Sequence, residues 1–288
     1  MSVDNLEPPP SNIRVWDWSW IKWLNNLYEW VKANNMKDYA LEVSRGNVNG
    51  VSAVNKFGRS TNVDTENTDI WDVANSTDDQ PIWLAPTAAR IHSIVSTSAA
   101  DAAAGTGALS LTVYGLTDWD TKETSETVTL TGATPVNTVG SYVIIHRMVC
   151  NYQASTTSAN VGVITATAAT DSTITAQINA LEGQTQMAIY GFPSIQTFYM
   201  NDMYGGVNKQ IAGSSNMSLL FNPNPGVQEL GFSVKSTFAT NSAGETMAER
   251  IFRPPNKFSG PGILKVQGYG SVVNLDVSAG FGGYLVDN

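Results

Sequence analysis

His92, His146 and Cys150 are the residues of this 288-residue chain best suited to nucleophilic or general-base chemistry. His146 sits in Tyr142-Val143-Ile144-Ile145-His146-Arg147-Met148, where strand alternation would place it on one face with Tyr142 and Ile144. A base needs a nucleophile within hydrogen-bond reach, and no Gly-x-Ser-x-Gly elbow accompanies either histidine. Cys150 is the nearest thiol, but a four-residue offset along a strand is a separation of roughly 13 Å at about 3.3 Å per residue. A lone cysteine forms no internal disulfide, and with two histidines it cannot complete a four-ligand zinc site.

Carboxylates are the next source of chemistry. Asp118 and Asp120 flank Trp119, yet a glycosidase pair must face each other across a cleft at a set separation. Between strands ending near Gly115 and starting near Glu126, a solvated turn is expected instead. Asp64, Glu66 and Asp69 offer calcium-type oxygens without the EF-hand spacing or its glycine. Gly280-Phe281-Gly282-Gly283 follows a strand and opens no helix, so it predicts close backbone approach rather than a phosphate cradle. The residues therefore predict no enzyme, no cofactor and no resident metal.

The N-terminal aromatics point to contact rather than catalysis. Five of the eight tryptophans fall within Trp16–Trp30, after the stiff Pro8-Pro9-Pro10 spacer. Trp20, Trp23, Leu24, Leu27, Trp30 and Val31 recur at helical spacing, opposite Lys22, Asn25, Asn26, Glu29 and Lys32. Asp17 or Ser19 can cap the start, and Asn34 and Asn35 suit the end. The polar face is charge-balanced, unlike the Lys/Arg-rich face of a membrane-surface helix. Aromatics are enriched in interface cores, so Trp16, Trp20, Trp23, Leu24, Leu27 and Trp30 are the candidate partner-anchoring residues.

The elements that must position these residues are mostly strands. Leu109, Leu111 and Val113 alternate with polar residues, as do Val128 and Leu130, Leu264 and Val266, and Val273, Leu275 and Val277. In this alternation Lys265 and Asp276 take the outward positions. Tyr142–Ile145 and Val161–Ile164 read as central strands, and Ser96–Gly107 as a loop. Without helices long enough for parallel crossovers, the expected fold is mainly β: an antiparallel β-sandwich or jelly roll with an N-terminal amphipathic helix and extended arm. The expected organisation is an anchor helix over 1–39, an irregular arm over 40–80 and a β-sandwich region over 81–288, with room for two sub-domains divided near 180.

Composition sets limits on partners. Charged residues make up 14% of the chain, and 16 basic residues stand against 25 acidic ones for a net charge of −9. Ordinary domains carry about 25% charge, and disorder needs high charge with low hydrophobicity. Clustered Lys and Arg, the mark of a phosphate-backbone binder, are missing, so no nucleic acid is expected. Neither a membrane span of ~18 apolar residues nor a basic, apolar secretory leader is present in the sequence.

Several stretches resemble virion structural proteins of tailed bacteriophages. They include Val113-Tyr114-Gly115, Glu126–Gly132, Pro135-Val136-Asn137-Thr138, Tyr142–Met148, Glu182–Tyr190, Thr197-Phe198-Tyr199-Met200 and Val277–Val286. Asn55-Lys56-Phe57-Gly58-Arg59-Ser60 and Asp69-Ile70-Trp71-Asp72 belong to the same likeness, which covers most of 50–288. A Pro-Ala-Gly turn common in that group is Pro193-Ser194-Ile195 here. The resemblance implies a noncatalytic capsid decoration or cement protein, made in the host cytoplasm and carried on the particle surface. Its partners would be the major capsid protein or other virion subunits, and it would assemble as a homo-oligomer, a trimer on a symmetry axis. The alternative is a tail fibre, spike or receptor-binding component recognising surface glycans, with Trp119 and Tyr114 stacking on sugars.

Overall fold

A computed structural model of the chain describes residues 20–27, 39–75, 80–151, 159–208, 212–226, 231–243 and 246–288. The chain divides into a unit of Met1–Ala53 and a unit of Val54–Asn288.

In the first unit, residues 20–27 are helical (α1) and Tyr39–Ser44 form a second helix (α2). The C-terminus of α2 is closed by Glu42, whose carboxylate accepts from Arg45 at 3.0 Å and Asn47 at 2.8 Å. Gly46 follows with φ of +73°, the left-handed residue that ends many helices.

The strands follow in chain order. They are β1 (Val51–Val63), β2 (Thr68–Asp69), β3 (His92–Ser96), β4 (Ser110–Leu116), β5 (Thr124–Thr129), β6 (Val136–Asn137), β7 (Ile144–Asn151) and β8 (Ile164–Ala168). Then come β9 (Thr173–Ile178), β10 (Ile189–Phe192), β11 (Gln196–Val207), β12 (Ser214–Asn222), β13 (Ser233–Asn241), β14 (Met247–Ser259), β15 (Gly262–Gly270) and β16 (Leu275–Asp287). The protein is mainly β with antiparallel sheets. Among the described residues there are four sheets, ordered β1-β16-β11-β14, β10-β15-β12-β13 with β2 also on β15, β6-β3-β8-β9, and β5-β4-β7.

Two apolar cores lie among these sheets. The β3–β9 sheets line one with Ile94, Leu111, Val113, Leu116, Ile144, Met148, Cys150, Ile164 and Ile178. The other holds Phe192, Phe198, Phe281, Met203, Met217, Leu264, Val266, Leu275 and Val277, with Phe192 stacked on Phe221 at 6.2 Å. Each such side chain contributes roughly 1.5–3 kcal/mol when fully buried. The chain passes from the second core at Ile70 to the first at Trp71, and from Met187 its residues alternate between the two, Met187 and Ile189 facing the first core and Ala188 and Tyr190 the second. Entry and exit are tied together: Trp71 bridges to Met187, and the Ala188 N–H donates to the Ile70 carbonyl at 2.9 Å. Gly58 of β1 passes this knot so closely that a Cβ would collide with Ile70 O and Ala188 N.

Several expectations change. Residues 40–80 are not an irregular arm throughout, because they contain α2, the 13-residue β1, β2 and a 3-10 turn at Asp72–Asn75. β1 escapes an apolar-alternation reading because three of its four buried positions, 56, 58 and 60, are Lys, Gly and Ser, with Val63 the fourth. The strand expected over Val161–Ile164 begins at Ile164. Val161 and Gly162 instead form a loop whose N–H groups both donate at 2.8 Å to Asp101. Asp101 also accepts from Ser96 Oγ and Ala108 N, which organises the Ser96–Gly107 loop. Lys265 and Asp276, expected outward, are buried.

Candidate functional site

The anchoring residues fall in the first unit, of which Trp16 and Trp30 lie outside the described residues. Trp20 and Trp23 meet edge to face with ring centroids 5.6 Å apart, and with Leu27 they are half-buried. Leu24 remains 46% exposed, and Ile21, Tyr39 and Leu41 are exposed beside it in sequence on α1 and α2. The helical spacing thus yields a mixed face, partly covered and partly presenting large apolar side chains to solvent.

In the second unit, a polar cluster missed by the sequence reading forms around His146. Its Nε2 bonds to the Glu123 carboxylate at 2.5 Å, and its ring packs on Tyr190 at 4.6 Å between centroids. Burial pushes the imidazole pKa below its usual value against the pull of Glu123, so the ring is neutral and Nε2 carries the proton given to Glu123. Burial raises the Glu123 carboxyl, but His146, Lys56 and Arg147 outweigh it and hold the group below its ordinary value. His146 Nδ1 has no hydrogen-bond partner and is buried. Cys150 lies on the same strand but packs into the apolar core, and among the described residues the hydrogen-bond partner given for this imidazole is Glu123.

Lys56 enters from β1. Its ammonium donates to the His146 carbonyl at 2.5 Å. Burial, then repulsion by Arg147, lowers its pKa to about 7 despite the opposing charge of Glu123. Beside it lies a cavity of about 230 Å³ lined by Asn55, Lys56, Phe57, Arg147, Gln184 and Thr185. Residues 183–185 are held along β7 by Cys150 N to Gly183 O at 2.8 Å and Thr185 N to Met148 O at 3.0 Å. Arg147 lies over the Tyr114 ring at 5.4 Å and touches Gln184 Oε1 at 3.4 Å. Sequence gave no warning of Lys56, since lysine is almost never buried unpaired.

The other candidates are internally consumed. Asp69 points inward, accepting from Lys265 at 2.7 Å, Trp83 N at 2.8 Å and Gln267 at 3.1 Å. It therefore does not join Asp64 and Glu66 as a ligand set. Asp72 and Glu182 are neighbouring carboxyls that perturb each other. Burial raises both, and Asp72 is raised further by the charge of Glu182. His92 is buried and held by burial at about 4, with Nδ1 on the Arg90 carbonyl. Asp118 caps its own turn through Asp120 N at 2.7 Å, and Asp120 takes the Ser194 hydroxyl at 2.7 Å. Trp119 is half-buried against the first core. Gly280 of β16 packs against Lys56 O and the Tyr204 ring, a backbone approach that admits no side chain.

Comparison of the chain with protein-family models, with curated proteins and with solved structures gives no match in any of the three.

Proposed function

We propose that the protein is a noncatalytic structural protein of a virus particle, a capsid-decorating cement protein that docks on the major capsid protein or other virion subunits. The observation that carries this reading is the order in which the strands of the second core pair. β2 and β10 meet the same strand in succession, at Gln267–Gly268 and Gly262–Lys265 of β15, and act as one interrupted strand. Counting them so, first pairs with last (β1 with β16), second with seventh (β15), third with sixth (β11 with β14) and fourth with fifth (β12 with β13). The inner pairings are antiparallel, and with β16 beside β11 and β15 beside β12 we read this order as a jelly roll, an arrangement used by many capsid and lectin domains. The β3–β9 body is then an insertion in the second strand.

Fold alone assigns no function, so the docking reading needs its own support. Ile21, Leu24, Tyr39 and Leu41 supply it as exposed apolar side chains within the short described helices, the kind of surface that a partner covers. Sparse charge fits repeated subunit packing, because interface cores are depleted of charged residues. In this reading the anchor inserts between capsid subunits, and the β body sits on the particle surface as a trimer on a symmetry axis.

Deleting residues 1–39 tests the proposal. Particles assembled with the truncated protein are expected to lose it on sedimentation, whereas full occupancy after truncation would sink the anchor. Quantitative mass spectrometry of whole particles checks the location. Copy number comparable to that of the capsid subunits supports decoration, and a few copies per particle would move the protein to the tail.

A further inference from the structure

The cavity between β1 and β7 is not used by the structural role just proposed, and its chemistry is that of a ligand site. Two cations line it together, Lys56 and Arg147. Among the described residues neither has a carboxylate within ion-pairing distance. Glu123, the carboxylate whose charge acts on both, is spent on His146. The remaining lining residues are Asn55, Gln184, Thr185 and Phe57, the last 40% exposed. Thr185 Oγ1 already accepts from Met148 N, which orients its O–H for donation. Asn55 Oδ1 accepts from the Tyr204 hydroxyl, leaving the amide NH2 as a donor. The volume, about 230 Å³, falls below the ~300–1,000 Å³ of sites for drug-sized ligands. It suits a single small ring.

We propose that this cavity binds a carboxylated sugar unit of the uronate type. Arg147 and Lys56 hold the carboxylate, Asn55, Gln184 and Thr185 meet ring hydroxyls, and Phe57 covers one apolar ring face. Arg147 is held in place by the Tyr114 ring and Gln184, so its planar donor fork is pre-arranged for a carboxylate. A bare phosphate would leave the amides and the aromatic wall unused.

Lys56 gives the binding event a signature. Facing it are Arg147 and His146 from β7, Glu123 from the segment before β5, and Tyr204 of β11, whose hydroxyl touches the Lys56 carbonyl. The empty site holds the amine at about 7. A carboxylate beside it favours the charged form, so binding above that pH must take up a proton.

Titration calorimetry of the full-length protein with sodium glucuronate at about pH 8, in two buffers of different ionisation enthalpy, tests the site. Glucuronate is expected to bind with proton uptake, and glucose at least about tenfold more weakly, as for the loss of one charge-assisted hydrogen bond. Arg147→Ala, on an exposed side chain, should weaken glucuronate by a similar factor. Lys56→Met should abolish the proton uptake, with unchanged circular dichroism verifying its fold. Equal binding of glucose, or of inorganic phosphate, would overturn the proposal. So would no binding at all, or binding confined to an aspartate-containing peptide, which would make the cavity a protein contact.

Discussion

Two buried lysines on neighbouring parts of the same unit are treated in opposite ways. Lys265 on β15 meets Asp69 at 2.7 Å and stands over the Phe232 ring at 4.5 Å, while Trp83 and Gln267 complete the carboxylate. Every partner is supplied, and the group ties β2 to β15. Among the described residues, Lys56 on β1 has the His146 carbonyl, the more distant charge of Glu123, a second cation nearby and a cavity at its side. Breaking a buried charge pair is far costlier than the net worth of the pair, so stability alone accounts for keeping the first arrangement intact. The second costs free energy that packing does not return. An uncompensated cation beside a cavity is where a ligand gains most.

The largest effect should come from breaking the satisfied lysine. Asp69→Ala leaves Lys265 buried and alone, and urea denaturation is expected to show a loss of about 3–5 kcal/mol. Pairing Asp69→Leu with Lys265→Met should recover most of it, since both charges then leave together. A null result for the single variant would erase the contrast between the lysines.

Asp101 is an intermediate case, a charge satisfied by neutral donors. Four hydrogen bonds reach it, from Ser96, Ala108, Val161 and Gly162. Asp101→Ala strands those donors and is expected to cost about 1–3 kcal/mol. Burial pushes the Asp101 carboxyl up, but these hydrogen bonds outweigh it and set it below the ordinary carboxylate range. Its contribution is therefore complete above the unfolded value near pH 3.9 and is lost as pH falls through the lower folded value. Acid titration of wild type against the variant should show the gap closing on that descent.

Lys56→Met should have the opposite sign. Below the folded value of about 7, wild type carries the full cost of charging a buried amine. At about pH 6 the variant is expected to be more stable by about 1–2 kcal/mol, the relief less one hydrogen bond. Between that value and the unfolded value near 10.4, the unfolded chain binds the proton and the folded one does not, so wild type gains stability with pH. Denaturation midpoints measured across this range should converge; a constant gap would show that Lys56 is charged in both states. Smallest of all, Leu24→Ser should change folding stability by no more than about 0.5 kcal/mol while lowering particle occupancy in the sedimentation assay.

The strands were legible wherever one face is apolar and the other wet. Leu111 and Val113 of β4 and Val128 of β5 are buried as their alternation predicts. Alternation failed where both faces are covered. β15 buries Lys265 along with Leu264 and Val266, because Asp69 arrives from a segment nearly two hundred residues earlier in the chain. Asp276 is drawn inward by Arg59, which reaches it with two bonds at 2.6 and 2.9 Å. β1 carried little apolar code to read, since its buried positions 56, 58 and 60 are Lys, Gly and Ser and, of its buried residues, only the last, Val63, enters the apolar core. The pairing of His146 with Glu123 could not be read from spacing, since the two lie 23 residues apart and only the fold brings them together.

Amino-acid order alone determined the β class, a helix at residues 20–27, the turn at Asp118–Asp120 and the glycine-lined backbone approach on β16. Each depends on residues close together in the chain, or on a period that one strand or helix carries by itself. Tertiary structure decided the division into two cores, with its knot at Ile70–Trp71 and Met187–Ala188. It also decided which lysine is paired and which is left facing a cavity. Those outcomes depend on groups from distant strands competing for the same buried space, where electrostatic cost is set by neighbours that sequence spacing does not reveal.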